Sequence, residues 1–554
     1  MKNNRIATET RQFFFDSTRG NLALLLIISF LLFFTNINGW DLWNPDEPRY
    51  AQVAREMRDT GEWILPHLNS DTYPDKPPLF FWLIALFSFV TGGVTEISAR
   101  LPSALAAAGC ILLTFFLGKR LFDRRAGLLS GFVLMTSVEF FWLGRRGNID
   151  MVFTLIVTLT LTFFFLGLKE EDKPRSFYLL PYLFMGLGVL TKGPIGFLLP
   201  SLTIVGYLAL TKNLKHLKKL EIPWGLVLFA GIVSAWLIPA CIRGGEAYTN
   251  EILFTQTIDR FAHAWNHKKP FYYFLYTFPA DFLPWVLLLP GALVWGLSKT
   301  QRANRADFYF PLCWFITIFI FFSLSTCKRN LYLLPLYPAA SIMVGVFLSH
   351  YLFQLDRHNL PFKSLLLPFY FLGTAFVIAG SGLCLVPFFN LPLPVTFRFF
   401  PDIGFFAAIL IAGGGWLLFK SRKKQILTNF ITLTFIMLTL SLAAIEVVLP
   451  KVNDFKSAKP MSRSIIRHLP EGKEIVAYRV KTASFNFYTG LNKIKTISTE
   501  EELIRYLNSP SLVLLLLKEK TFNQLQEKLL GFSEFHVVDQ AKIGHSFFLL
   551  LSKG

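Results

Sequence analysis

Two adjacent carboxylates, Asp46 and Glu47, stand in "LWNPDEPRYAQVAREM" (42–57), directly after an apolar run long enough to enter a bilayer. Other stretches put charge beside apolar runs in the same way. "YPDKPPLFFW" sets Asp75 and Lys76 before a Pro-Pro that stiffens the chain. "LGRRGNIDM" carries Arg145, Arg146 and Asp150; "DRFAHAWNHKKPFYYF" carries Arg260, His263, His267, Lys268 and Lys269; "STCKRNLYLLPLYP" adds Lys328, Arg329, Tyr332 and Tyr337. Lysine and arginine neutralise a phosphate and donate hydrogen bonds to its oxygens, while acids suit a sugar or a metal ion. A reaction that needs both is glycosyl transfer from a polyprenyl phosphate. Its leaving phosphate gains negative charge as the sugar carbon becomes cationic.

Each feature also has a purely structural reading. Asp46 or Asp150 can cap a helix and face its dipole, Lys76 can snorkel from a helix end, and the remaining charges can be solvated loops. Five such loops on one membrane face, two of them basic against the topological bias, favour a site.

What must position these loops is a membrane domain. Of 554 residues, 53% are hydrophobic and 60 are phenylalanine, the balance of a polytopic membrane protein. The formal net charge of +19 falls in short clusters between apolar runs, where it orients the chain and does not suit nucleic acid as a partner. Cys110, Cys241, Cys313, Cys327 and Cys384 lack C-x-x-C or Cys/His spacing and read as inert core residues.

Apolar runs predict thirteen spans, near 21–38, 99–118, 126–143, 150–168, 176–191, 195–211, 223–242, 275–297, 307–325, 331–350, 365–388, 402–419 and 427–450. The first has no A-x-A-like cleavage site and is read as uncleaved. Segment 78–93 is short and bounded by Pro-Pro and Gly-Gly. If it does not cross, "KRLFDRR", "KEEDKPR", "KNLKHLKK", "SKTQRANR" and "KSRKK" all fall on the N-terminal, cytoplasmic side, as the positive-inside rule requires. It is therefore expected to be interfacial or re-entrant.

The expected architecture is an all-α polytopic membrane protein of about thirteen transmembrane helices with a small C-terminal α/β domain. Residues 1–450 form the membrane domain, with outer loops 39–98 and 243–274 making the site, and residues 451–554 form the outer α/β domain. In the first outer loop, Ala51, Val53, Ala54 and Met57 recur at helical spacing until Gly61. In the tail, "EIVAYRV", "SLVLLLLK" and "HSFFLLLSK" read as strands, "EEELIRYLN" and "FNQLQEKLL" as helices.

The acidic pair after span one, "DKPP", "ARLPSALAA", "NIDM", "LTKGP" and "KRNLYLLPLYP", in this order, resemble the C-type (GT-C) membrane glycosyltransferases. Within them the pattern resembles the lipid A aminoarabinose transferases, similar in turn to the protein O-mannosyltransferases. The resemblance covers about residues 20 to 450. It implies an inverting transferase that moves 4-amino-4-deoxy-L-arabinose from undecaprenyl phosphate to lipid A phosphate, at the periplasmic face of the bacterial inner membrane. A polyprenyl-phosphate-sugar transferase acting on a protein or glycan hydroxyl is the alternative. A lipid-linked sugar flippase is a reading from another class, but its midplane charges and repeated halves are not seen.

By the same resemblance, Asp46 is the catalytic acid of the first loop, with Glu47 beside it, and Asp150 is the second acid. Lys76 and Tyr332 contact the donor phosphate, with Arg260, Lys268, Lys269 or Arg146 as basic partner. Asp75 with His267, or with His263, would hold a divalent metal, zinc or similar. Asp75 stands where the aminoarabinose enzymes usually carry Glu, a ligand one methylene longer.

Overall fold

A computed structural model describes residues 17–169, 174–259, 261, 267–298, 305–353, 362–386, 400–470, 474–507, 512–526 and 535–553. The chain divides into two units. One comprises Met1–Asn36, Asp75–Leu79 and Pro102–Val447; the other comprises Ile37–Pro74, Phe80–Leu101 and Val448–Gly554.

The protein is a multi-pass, mainly helical membrane protein. Among the described residues, eight helices are long and apolar enough to cross a bilayer, and counting two bent pairs as one span each brings the number to ten. The bent pairs are Arg124–Met135 with Val138–Gly144, at 70°, and Tyr273–Asp281 with Trp285–Leu297, at 111°. The three remaining predicted spans fall on Thr18–Phe33, Leu180–Lys192 and Ile195–Leu210, of 16, 13 and 16 residues. Segment 78–93 forms the helix Leu79–Val90, of 12 residues. At 1.5 Å per residue that is about 18 Å, well short of the roughly 30 Å of hydrocarbon.

Local chemistry explains the bends and turns that matter for the site. The first bent pair breaks where the Thr136 and Ser137 hydroxyls donate back to the carbonyls of Phe132 (2.6 Å) and Val133 (2.7 Å), a competition with the helix ladder that bends it. Helices Leu180–Lys192 and Ile195–Leu210 are joined by Gly193 at φ 82° and Pro194. They close tightly because Gly188 faces Gly196: a Cβ on Gly196 would lie 2.2 Å from the Gly188 carbonyl carbon. That contact fixes the turn carrying Lys192.

Arg145, fully buried, closes the C-terminal end of the first helix. Its guanidinium donates to the carbonyls of Leu32, Thr35 (2.6 Å) and Asn36 (3.3 Å), groups that have no partner within the helix. One of the two outer arginines singled out in the sequence is therefore a cap. The segment 243–274, expected as a loop, is largely helical: Ile222–Asn250 breaks at Gly245 (φ 70°) and continues into wider π-type turns over Glu251–Asp259.

The second unit begins with the helix Glu47–Thr60, closed by Gly61 at φ 72° with its N–H on the Met57 carbonyl at 3.0 Å. A short hairpin follows, β1 (His67–Leu68) and β2 (Asp71–Thr72). The C-terminal sheet comprises β3 (Glu474–Tyr478), β4 (Lys495–Ile497), β5 (Leu512–Lys518), β6 (Phe535–Ile543) and β7 (Ser546–Lys553), in the order β4-β3-β5-β7-β6. β3 runs parallel to β4 and β5, and β7 antiparallel to β5 and β6. Both faces of β5 are covered: Leu514 and Leu516 pack with Met461, Ile465 and Phe485, while Leu515 and Leu517 pack with Leu503, Leu507 and Leu525. Hence that strand is apolar throughout and does not alternate.

This unit is larger than a boundary at residue 450 implies, because the first outer loop shares its core. Leu42, Ala51, Ala99 and Phe487 form one cluster. Arg55 donates to the carbonyls of Phe487 (2.7 Å) and Asn486 (2.6 Å), and Asn69 Oδ1 accepts the Ile494 N–H at 2.7 Å. Asp41 accepts from Ser457 Oγ (2.6 Å), Asn453 Nδ2 (2.9 Å) and Lys459 Nζ (3.1 Å). Burial alone would raise the Asp41 pKa, but these three partners outweigh it and hold the carboxyl below its ordinary value.

Candidate active site

Asp150 opens the helix Ile149–Lys169 without capping it. Asn148 is the cap: its Oδ1 accepts the Met151 N–H at 3.0 Å. Its Nδ2 donates to the carbonyls of Leu143 (2.8 Å) and Arg146 (3.1 Å). Its backbone exchanges two bonds of 3.1 Å with the Ser103 hydroxyl. The Asp150 carboxylate is thereby left for Lys192, with which it forms an ion pair, both side chains under a tenth exposed. The Lys192 ammonium also lies over the rings of Tyr332 (4.5 Å), Phe153 (5.3 Å) and Phe322 (5.8 Å). Tyr332 in turn bonds through its hydroxyl to Cys327 Sγ at 3.6 Å. "NIDM", "LTKGP" and "KRNLYLLPLYP" therefore meet at one ion pair.

Lys192 is the residue that sequence reasoning missed. The available signal was "LTKGP" itself, a lone lysine at a helix end on the face that collects the other charged segments.

A cavity of about 350 Å³ is lined by both Lys192 and Lys76, one of the predicted donor contacts. Its polar lining is Asp75, Lys76, Lys192 and Gln256, and much of the rest is apolar, including Phe197, Phe229, Val233 and Leu237. Gln256 Nε2 donates to Asp75 Oδ1 at 3.4 Å and to Glu251 Oε1 at 2.8 Å. A few charges in a mainly hydrocarbon wall are what an amphiphile with an anionic head requires.

The further basic candidates are placed apart from this cavity. Lys268 pairs with Cys327 in an antiparallel bridge, Lys328 N donates to the His267 carbonyl at 3.1 Å, and Lys269 N donates to the Thr326 carbonyl at 3.4 Å. Lys268 and Lys269 stay exposed and, with Lys328, line a second cavity of about 630 Å³. The Lys328 ammonium is itself buried on the carbonyls of Ser325 and Lys269, and desolvation lowers its pKa. Arg146 lies over the Trp142 ring at 5.2 Å. Arg260 and His263 fall outside the described residues.

Among the described residues no three His, Cys, Asp or Glu come together. Asp75 faces the Gln256 amide, and His267 stands in the segment paired with Lys328. Asp75 with His267 or His263 is the set that the resemblance implies for a divalent metal, and His263 lies outside the described residues.

In the second unit the acidic pair divides. Successive helical residues point about 100° apart, so the two carboxylates face different partners. Glu47 is buried: Arg100 Nε donates to its Oε1 at 2.9 Å and Trp43 N to its Oε2 at 3.2 Å. Arg100 also donates to the carbonyls of Ile37 (2.7 Å), Trp40 (2.9 Å) and Asp41 (2.8 Å). Glu47, expected beside Asp46 as a catalytic acid, is instead the counter-ion that pins the loop before the helix. Asp46 occupies the cap position, yet its side chain makes no bond to the helix backbone. It accepts from Arg49 Nη2 at 2.7 Å, and that guanidinium lies over the rings of Tyr50 (5.2 Å) and Tyr73 (6.0 Å).

Residues 75–238 match the family described as dolichyl-phosphate-mannose-protein mannosyltransferase. Over 333 residues the chain is 31% identical to the undecaprenyl phosphate-alpha-4-amino-4-deoxy-L-arabinose arabinosyl transferase of Pectobacterium atrosepticum, a stretch that is 59% of each chain. The chain thus spans about three fifths of that curated relative. The crystal structure of ArnT from Cupriavidus metallidurans bound to undecaprenyl phosphate superposes with a TM-score of 0.78 at 20% identity, covering 96% of this chain and 98% of that one. The archaeal oligosaccharyltransferase AglB from Archaeoglobus fulgidus gives 0.54 at 11% identity, covering 90% and 69%. The fold is that of the C-type membrane glycosyltransferases. In sequence, the chain is similar to the undecaprenyl phosphate-aminoarabinose arabinosyl transferases, as the order of its motifs implied.

Proposed function

We propose that this chain is an inverting glycosyltransferase that moves 4-amino-4-deoxy-L-arabinose from undecaprenyl phosphate to a lipid A phosphate at the periplasmic face of the inner membrane. The observation that carries the reading is the cavity in which Lys76 and Lys192 share a mainly apolar wall. An acceptor phosphate oxygen attacks the anomeric carbon, the bond from that carbon to the donor phosphate breaks, and the electron pair leaves on the phosphate. Lys76 neutralises that charge as it grows. Lys192, held by Asp150 and seated on Tyr332, adds a second cation beside it. An ionised phosphate acceptor is already nucleophilic, so Asp46, its direction fixed by Arg49, orients the acceptor or stabilises the cationic sugar.

The match of residues 75–238 to the mannosyltransferase family supports a second acceptor class, a protein or glycan hydroxyl. Asp46 would then act as general base. Incubating the purified protein with undecaprenyl phosphate-aminoarabinose and lipid A, followed by mass spectrometry, separates the readings. Gain of one aminopentose on lipid A is expected. Transfer to a hydroxyl acceptor alone selects the second reading, and transfer to no acceptor ends both.

A further inference from the structure

Two acids of the first unit have no part in that mechanism: Glu139, in the first turn of Val138–Gly144, and Asp281, the last residue of Tyr273–Asp281. The two helices are tied by a main-chain bond from Val138 N to the Leu283 carbonyl at 3.2 Å. Asp281 Oδ1 accepts from Asn330 Nδ2 at 3.3 Å, and Asn330 Oδ1 accepts from the Tyr273 hydroxyl. Glu139, Asp281, Tyr273 and Asn330 are all half-buried. Glu139 lies in the field of Asp281 and of Asp150, with Arg146 and Arg329 opposing. Asn330 stands two residues before Tyr332, over whose ring the Lys192 ammonium lies, so the cluster neighbours the Asp150–Lys192 pair.

A second observation points to a missing ligand. Tyr337 stands edge-on to Phe278 (5.8 Å) and Phe282 (5.3 Å) and is 1% exposed. Its hydroxyl has no hydrogen-bond partner among the described residues, and its ring packs edge-on against Phe282, the residue next to Asp281. Two partly desolvated carboxylates repel one another, and a buried phenol left unpaired is costly. One cation placed among them removes both penalties. The Glu139 and Asp281 carboxylates and the Tyr337 hydroxyl all accept hydrogen bonds, and among the described residues no three His, Cys, Asp or Glu come together. These acceptors match the tetrahedral donors of an ammonium group.

We infer that Glu139 and Asp281, with the Tyr337 hydroxyl, form a subsite for the ammonium group of the donor's amino sugar. The inference rests on the transfer reading above and specifies which residues select that sugar. Two donors test it: undecaprenyl phosphate carrying 4-amino-4-deoxyarabinose, and the same lipid carrying the uncharged N-formylated sugar. Wild-type kcat/KM is expected to favour the amino donor by roughly tenfold or more. In Glu139→Gln and in Asp281→Asn that ratio falls towards one. Should either variant fail to fold, Tyr337→Phe keeps the ring packing and its ratio falls in the same direction. A wild-type ratio near one, or variants that keep the wild-type ratio, overturn the subsite and leave the transfer reading standing. A wild-type protein that transfers neither sugar overturns both.

Discussion

Glu47 Oε1 and Arg100 Nε lie 2.9 Å apart with side chains 1% and 0% exposed, and the remaining Arg100 nitrogens are taken by three main-chain carbonyls. Removing one member of such a pair leaves the other charged and buried, at about 3–5 kcal/mol. Glu47→Ala is therefore expected to lower the melting temperature in detergent and the amount of protein in the membrane. Combining it with Arg100→Met should recover part of the loss. A Glu47→Ala protein of wild-type stability and abundance would show that the pair does not hold the loop.

Asp46→Asn separates charge from capping. Asn caps about as well as Asp, the Asp46 side chain caps nothing here, and losing a partly exposed ion pair costs about 1 kcal/mol or less. The variant is expected to be folded and abundant yet nearly inactive in transfer. Retention of most activity would remove Asp46 from the chemistry.

Lys76→Ala is expected to reduce turnover roughly a hundredfold, about 3 kcal/mol of lost transition-state contact, without loss of protein. Lys192→Met should behave differently, because it strands the buried Asp150 carboxylate as well as removing a cation. Its defect should appear in both stability and rate. The double variant Lys192→Met with Asp150→Asn should regain stability but not rate. Recovery of rate would make the pair purely structural.

The pair of Asp41 and Lys459 sets a pH window. Asp41 titrates below its ordinary value of 3.8 when folded, so its contribution is present above that value and is lost as pH falls through the folded pKa. For Lys459, desolvation lowers the pKa but Asp41 and Glu96 outweigh it and raise it above 10.5. Its contribution is complete below that value and disappears as pH rises through the folded pKa. Thermal unfolding against pH should lose stability on both limbs, and Asp41→Asn should flatten the acid limb. An unchanged acid limb in that variant assigns the loss to other carboxylates.

Long apolar runs and strongly patterned strands were legible in the sequence, because burial writes itself into composition over a whole element. All thirteen runs became helices or helix pairs, and the three strand motifs became β3, β5 and β7. β4 and β6 were not foreseen: burial along β4 reads exposed, exposed, buried, and β6 carries polar residues on an edge, so neither has an apolar run. Nor does a linear pattern show pairing at a distance. Glu47 meets a partner 53 positions away and Lys192 one 42 positions away, and those pairings set which charged residue is held in the core and which lines the cavity.

The helix Ile195–Leu210 begins at the turn that bears Lys192, and its 16 residues reach only about 24 Å. Against roughly 30 Å of hydrocarbon, so short a span is met by thinning of the bilayer beside it or by snorkelling of its flanking residues. For the transfer proposed above, thinning would lower the headgroup of a membrane-borne donor towards the turn that bears Lys192, so that the substrate could reach the cavity without leaving the lipid phase.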